Sequence, residues 1–541
     1  MQTFNLLDQP WILATDTSGN QTALSLVDIF AKAHQLKALS GEMPAQDIAV
    51  LRLLLGVLYA VYTRTDEYKA AQEEGSGDMA IEYWTELWEA GAFQPDIIES
   101  YLHQYHDRFW LVHLETDRPF WQVRFNDWPI NSEGITIKPT ELATVKFIGD
   151  IGNNANLFSG RSESYAIGFP EAARWLVHLN TYDVSPGGNP GKNPRSLKGF
   201  GHPWPADIGL VCITGNTLFE TLMLNLVLTH NSEPWTDKDI AWWEKDPPGL
   251  NVNGLEQIAI ARPEGIVELM TTQYRYVQLK IDNDTVTGFE LWSGVKFEGE
   301  NMLAEKMTPW KRDKDKNIVP CRHDLSKQMW RDFSSIVTQD KGYLPGVLAW
   351  VHDLRYAGVK LPFIRIQAVA IEYKKDTAIK DVFADSMMLN TGLLSSLDGW
   401  VKSITNSLEV TETLVKALGQ LALEMALASG YSVNKKLKFS MEESKRAPAR
   451  EEAYFRMDMP FRSWLAALDP RIHDCESECR NWLATARNIV QELGQELASQ
   501  AGTSAFIGRE EYSAPDVYVK FKRKIAKILR DAGFSPPTKE A

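Results

Sequence analysis

The sequence predicts an α+β protein with a large irregular α/β N-terminal domain, residues 1–380, followed by a C-terminal helix bundle, residues 381–541. Three observations carry that prediction. At 541 residues the chain is too long for one ordinary core. Its 44% hydrophobic and 24% charged residues are the balance of a folded globular protein rather than a disordered one. The patterning also changes along the chain: before about Tyr373 short strand-like runs mix with helices, and beyond Asp381 long amphipathic helices take over.

In the first part, Asp47 to Tyr62 places Leu51, Leu54, Leu55, Leu58 and Tyr62 at helical spacing, and Gly215 to Thr229 reads as a second helix. Val267 to Ile281 is rich in β-branched and aromatic residues and reads as a strand. The Asn283-Asp284 pair predicts a turn into a partner strand over Val286 to Leu291. In the second part Leu414, Leu418, Leu421 and Met425 mark one buried helix face. Trp482, Ala486, Ile489, Leu493 and Leu497 mark a second, and Val517, Phe521, Ile525 and Ile528 a third. The last helix is expected to open after Ser513, with Pro515 in its first turn, and to close at Gly533.

No secretory signal is evident at the start, and no apolar run reads as a membrane span, so a cytoplasmic protein without a membrane partner is expected. Four cysteines, Cys212, Cys321, Cys475 and Cys479, make no C-x-x-C pair and predict reduced thiols. His103 with His106, and Cys321 with His323, do not complete a metal shell, so no metal and no cofactor are expected. The stretch Pro186 to Pro194 (PGGNPGKNP) fails as a nucleotide-binding loop, because Pro186 and Asn193 stand where glycine and a hydroxyl are required. G-x-S-x-G, kinase and dinucleotide signatures are missing as well, which argues against an enzyme.

The net charge of −14 opposes the basic balance usual for nucleic-acid binding. Charge acts locally, however, since the Debye length is about 8 Å at physiological salt. Two segments are basic: Asn434 to Arg450, with Lys435, Lys436, Lys438, Lys445, Arg446 and Arg450, and the last helix, with Lys520, Lys522, Arg523, Lys524, Lys527 and Arg530. Either set suits a solvated helix face or a surface that tracks phosphates. Asn153, Asn154 and Asn156 with Phe158 form a small-residue stretch that suits a turn, or amides facing base edges. Gly187, Gly188 and Gly191, beside Lys192, suit a plain surface loop or a close backbone approach to a ligand.

Taken in order, FNLLDQPWI, NNANLFSGR, SPGG, GNTLFETLMLNLVL, MTPWKRD and RMDMPFRSWLAAL resemble the CasA-type large subunits of type I-E CRISPR Cascade complexes, over nearly the whole chain. The resemblance implies a four-helix C-terminal bundle and a non-catalytic subunit. Such a subunit reads the PAM of double-stranded DNA from the minor groove, promotes duplex opening and R-loop formation, and recruits the helicase-nuclease. The implied partners are crRNA, target DNA, the backbone subunits, the small-subunit dimer and the subunit at the crRNA 5′ end. Asn154, Asn156 and Phe158 then match the family's first loop, and Gly187, Gly188, Gly191 and Lys192 its glycine loop. Lys296 matches its lysine finger, with Lys306 the alternative. Where some members insert a glutamine wedge this chain offers Lys375, Asp376 and Thr377, and the paired zinc-binding cysteines of some members are missing. Lys435, Lys436, Lys520, Lys522, Lys524 and Lys527 are assigned to phosphates. A scaffold that touches DNA through phosphates alone is the competing reading.

Overall fold

The computed structural model describes residues 3–113, 116, 118–123, 140–142, 166–182, 202–245, 262–293, 295, 297, 302–337, 344–374, 378–394, 399–509 and 512–534. Two compact units form: Met1–Lys327 with Gln339–Ser386, and Gln328–Thr338 with Met387–Ala541.

The first unit runs in chain order through helix α1 (Pro44–Tyr62), strands β1 (Trp110–Val112), β2 (Thr140–Leu142) and β3 (Ile167–Gly168), helix α2 (Phe169–Tyr182), strand β4 (Leu210–Thr214), helices α3 (Leu218–Asn225) and α4 (Ile266–Thr271), and strands β5 (Arg275–Asp282), β6 (Thr285–Ser293), β7 (Phe363–Lys374) and β8 (Ala378–Asn390), among other elements. From Met387 onward β8 belongs to the second unit.

Helix α1 is the hub of the first unit. Pro44 opens it with a preset φ, and its many Ala and Leu residues sustain it. Contrary to the expectation that no run reaches spanning length, α1 is long and apolar enough to cross a membrane by composition. It is instead a core helix, with seventeen of its nineteen residues buried among α2, α3, α4 and β7. Its one buried cation, Arg52, meets Glu305 through two parallel hydrogen bonds of 3.0 and 2.8 Å. Trp204 Nε1 and the Met307 N–H also donate to that carboxylate, at 3.2 and 2.9 Å.

Two predicted elements change extent. The helix expected over Gly215 to Thr229 is only Leu218–Asn225. Thr217 caps its start, and at its end the Asn225 amide bonds both backbone groups of Ile213, tying the chain to β4. Val267 to Ile281 is a helix, α4, before it is a strand, β5. The Asp239 carboxylate accepts from the N–H groups of Val267 and Glu268, at 2.6 and 2.8 Å. A cap supplied from 28 residues away is a tertiary override of strand propensity. The Asn283 turn stands as expected, with Asn283 at φ 54 and β5 paired antiparallel to β6.

In the second unit the long helix α5 (Trp400–Ala428) packs against α6 (Lys438–Ala467), α7 (Cys475–Ser499) and α8 (Ala514–Asp531). Trp330, from the inserted 328–338 segment, stacks on Phe461 at 4.7 Å, and Trp482 meets Phe461 edge-on at 4.9 Å. The expected faces hold for Leu414, Leu418, Leu421 and Met425. Ile489, Leu497 and Ile528 are half-buried, and Val490 and Leu529 take the core positions beside them. A straight helix turns 3.6 residues, so a face continued by fours drifts off its neighbour within a few turns.

His178 on α2 is buried, and neither ring nitrogen has a hydrogen-bond partner. Burial pushes its pKa down to about 3. Above pH 6.5 the ring is neutral whether the chain is folded or not, so it imposes no pH dependence there. Below that value the unfolded chain takes a proton that the folded ring refuses, and stability falls until about pH 3. Between pH 7 and 5 the wild type is therefore expected to lose about 2 kcal/mol more stability than His178→Leu, at 1.36 kcal/mol per pH unit. Urea unfolding at the two pH values measures this, and parallel losses in both proteins would refute it.

Candidate nucleic-acid interface

Asn154, Asn156, Phe158, Gly187, Gly188, Gly191, Lys192, Lys296, Lys375 and Thr377 lie outside the described residues, as does the Lys435 side chain. The described elements nevertheless fix where these segments begin and end. The stretch carrying Asn154, Asn156 and Phe158 leaves from β2 and returns at β3, and both strands pair with β6. Leu142 sits opposite Phe289, and Gly168 opposite Thr285. Lys296 stands between Val295, whose N–H reaches the Gln273 carbonyl at 3.2 Å, and buried Phe297, whose ring meets Tyr274 edge-on at 5.7 Å.

One side chain meets both residues that flank the glycine segment. Tyr373 on β7 donates its hydroxyl to the Tyr182 carbonyl at 2.5 Å, and its ring stacks on His202 at 3.9 Å. Tyr182 and His202 flank the segment that holds Gly187, Gly188, Gly191 and Lys192, and Tyr373 stands two residues before Lys375. The described residues next to two candidate segments far apart in sequence therefore meet at Tyr373. The sequence alone gave no sign of it, because Tyr373 reads there as one more aromatic strand residue.

Lys306 does not fit the role of a probing finger. Its side chain is buried, with Nζ 3.0 Å from His230 Nδ1 and 5.1 Å from the centre of the Trp235 ring. Burial lowers its pKa to about 8, and Gly346 packs so closely that a Cβ there would come within 2.5 Å of the lysine chain. The MTPWKRD stretch is likewise structural, since the Met307 carbonyl accepts from Val211 of β4 and Trp310 is buried.

On the bundle, α8 divides into two faces. Val517, Phe521, Ile525 and Leu529 are buried, while Lys520, Lys522, Arg523, Lys524, Lys527 and Arg530 are exposed. Lys520 is ion-paired with Glu424 at 3.0 Å, and Lys522 lies 5.0 Å over the Tyr518 ring. In the other basic segment Glu442 pairs with Arg446 at 3.0 Å and Glu443 pairs with Arg450, leaving Lys436 exposed. Local carboxylates thus neutralise more of the first basic segment than of α8. Cys479 is a packed thiol that burial pushes up to about 11. Among the described residues no three His, Cys, Asp or Glu side chains converge as a metal shell.

An α/β unit built around a largely buried helix, followed by a bundle of four long helices, superposes on solved Cse1 proteins. The crystal structure of Thermobifida fusca Cse1 superposes with a TM-score of 0.81 at 30% identity, covering 98% of each chain. CasA/Cse1 of Thermus thermophilus is 27% identical over 442 residues, 79% of either chain. A chain of a CRISPR RNA-guided surveillance complex shares the fold at a TM-score of 0.66 and 17% identity, covering 98% of this chain and all of that one. The model of the CRISPR-associated protein Cse1 family matches residues 5–493, and the chain belongs to that family.

Proposed function

We propose that this protein is the large, non-catalytic subunit of a type I-E Cascade surveillance complex in the cytoplasm, that it reads the PAM beside the target, and that it helps open the duplex for R-loop formation. Its partners in this reading are crRNA, the backbone and small subunits, the subunit at the crRNA 5′ end, double-stranded target DNA and a recruited helicase-nuclease. The observation that carries the reading is family membership across residues 5–493, together with a shared fold over 98% of the chain. Guide pairing reads sequence in such assemblies, so the protein needs only a short duplex tag and contacts to backbone. Tyr182 and His202, which flank the glycine segment, both meet Tyr373, two residues before Lys375, and this supports a shared role for the two candidate segments.

The test is binding of the assembled complex, with and without this subunit, to duplexes randomised next to the target. Affinity that depends on those bases only when the subunit is present supports the reading. Affinity indifferent to them, yet weakened by salt on all targets alike, would leave a phosphate-binding scaffold.

The exposed face of α8 makes a separate prediction. Neutralising Lys520, Lys522, Lys524 and Lys527 together should weaken binding to every target by a similar factor and leave PAM preference unchanged. Lys520 already has Glu424 as a partner, so fewer than four phosphates are at stake. The slope of log affinity against log salt should fall by about 2 to 3, at about 0.9 per duplex phosphate contact. If affinity and slope persist while the small-subunit dimer is lost from the complex, this face binds protein instead.

A further inference from the structure

Outside the segments already discussed, the first unit holds a cleft of about 690 Å³ between β1 and the Trp242–Glu244 turn. Pockets of this size accept a ligand as large as a nucleotide. Trp110 and His113 form one wall, half-exposed, with ring centres 4.4 Å apart. His106 braces the Trp110 ring edge-on at 5.3 Å and is itself tied to Asp8 at 2.9 Å, so the indole is held from behind.

Glu244 also lines the cleft, its side chain 8% exposed, and is fixed in place. Arg64 donates to its two oxygens at 2.5 and 2.9 Å, and Tyr101 donates its hydroxyl to Oε1. The Tyr101 oxygen in turn accepts from Trp243 Nε1 at 2.9 Å. A carboxylate offers about four acceptor positions, so with Arg64 and Tyr101 satisfied one position on Oε2 remains. Arg64 also cancels its charge, so the carboxylate accepts a hydrogen bond without repelling an anion. Arg108 and Arg118 line the same cleft and bring two guanidinium groups to it, with Asp107 the other acid present.

This combination selects its ligand by chemistry. A half-exposed indole and imidazole favour a flat π-system, arginines favour a phosphate in the fork of their N–H groups, and a preset carboxylate oxygen favours an amino edge. Phosphates of a duplex would satisfy the arginines but leave the rings and Glu244 unused, because paired bases hide both faces and edge. We propose that this cleft takes one unpaired nucleotide of a single strand, its base stacked on Trp110, an amino group at Glu244 and its phosphate at Arg108 and Arg118. Nucleic acid as the ligand rests on the function proposed above. The guide RNA and the displaced DNA strand both offer this chemistry.

The test uses the full chain and short oligonucleotides carrying 5-iodocytidine in RNA or 5-iododeoxycytidine in DNA, crosslinked by light and mapped by mass spectrometry. Adducts are expected within residues 104–118 for single strands and not for a duplex of the same sequence. Trp110→Ala should lower the yield roughly tenfold, and Trp110→Phe should retain most of it. Arg108→Gln with Arg118→Gln should lower the yield and flatten its salt dependence without touching the rings. Adducts from RNA alone identify the guide strand as the source, from DNA alone the displaced strand, and from both a site shared between them. Adducts only elsewhere, equal yields from a duplex, or full yields from both the Trp110→Ala and the paired arginine variants overturn the proposal. Co-purification of the same protein with crRNA and the other subunits is scored in parallel. Missing adducts with an intact complex sink the cleft alone, whereas a failed complex with adducts retained sinks the function proposed above.

Discussion

Glu305→Ala is expected to lower the stability of the first unit by about 3–5 kcal/mol, the range for breaking a buried ion pair by removing one partner. Both side chains are almost wholly enclosed, at 4% and 0% exposure. Burial alone would raise the Glu305 carboxyl, but the Arg52 guanidinium facing it holds the group below its ordinary value. Truncation leaves the charge of Arg52 in the middle of α1 without a counter-ion and strips the Trp204 and Met307 N–H groups of their acceptor. The pair itself is a different matter from its halves. Replacing both members with apolar residues, Arg52→Met with Glu305→Leu, should recover much of the loss, because desolvation offsets most of what the pair contributes. Denaturant unfolding of the single and double variants measures both effects. A Glu305→Ala protein that unfolds at the wild-type midpoint would show that water reaches Arg52 and that the pair is not sealed.

That ion pair shows what the sequence could and could not reveal. The stretches whose order carried the family resemblance are mostly core and capping devices. Leu6 and Leu7 are fully buried, Trp11 donates to the Leu6 carbonyl, Asn225 is tied to β4, and Phe461 and Leu465 fill the bundle. Such residues impose periodicity and turn chemistry on the local sequence, so fold class and the amphipathic helices were legible. Partners distant in sequence were not. Arg52 and Glu305 are 253 residues apart, and Asp239 caps α4 across 28. Charge was misleading in a similar way: Lys306 looks like any surface lysine until His230 and Trp235 enclose it. The return of residues 328–338 to the bundle had no local signal, since Trp330 is one of 18 tryptophans in the chain. The Trp110 cleft had no local signal either, because Trp243 and Glu244 join its lining from far along the chain.

Changing Gly187 and Gly188 together to aspartate is expected to abolish binding of duplex targets while sparing single-stranded targets paired to the guide. The chain entering and leaving this segment is fixed at Tyr373, through the Tyr182 carbonyl on one side and the His202 ring on the other. Substitutions between those anchors therefore act on what the segment meets more than on how it is attached. Glycine admits the backbone to a groove floor where a Cβ would not fit. Aspartate adds both the Cβ and a negative charge facing phosphates, and like charges brought together at an interface cost several kcal/mol. Duplex affinity should fall by roughly a hundredfold or more. A single-stranded target has no PAM duplex to approach, so the guide pairs with it as before. Electrophoretic mobility shifts of the assembled complex on the two substrates separate the outcomes, and equal losses on both would mean that Gly187 and Gly188 serve the fold rather than the groove.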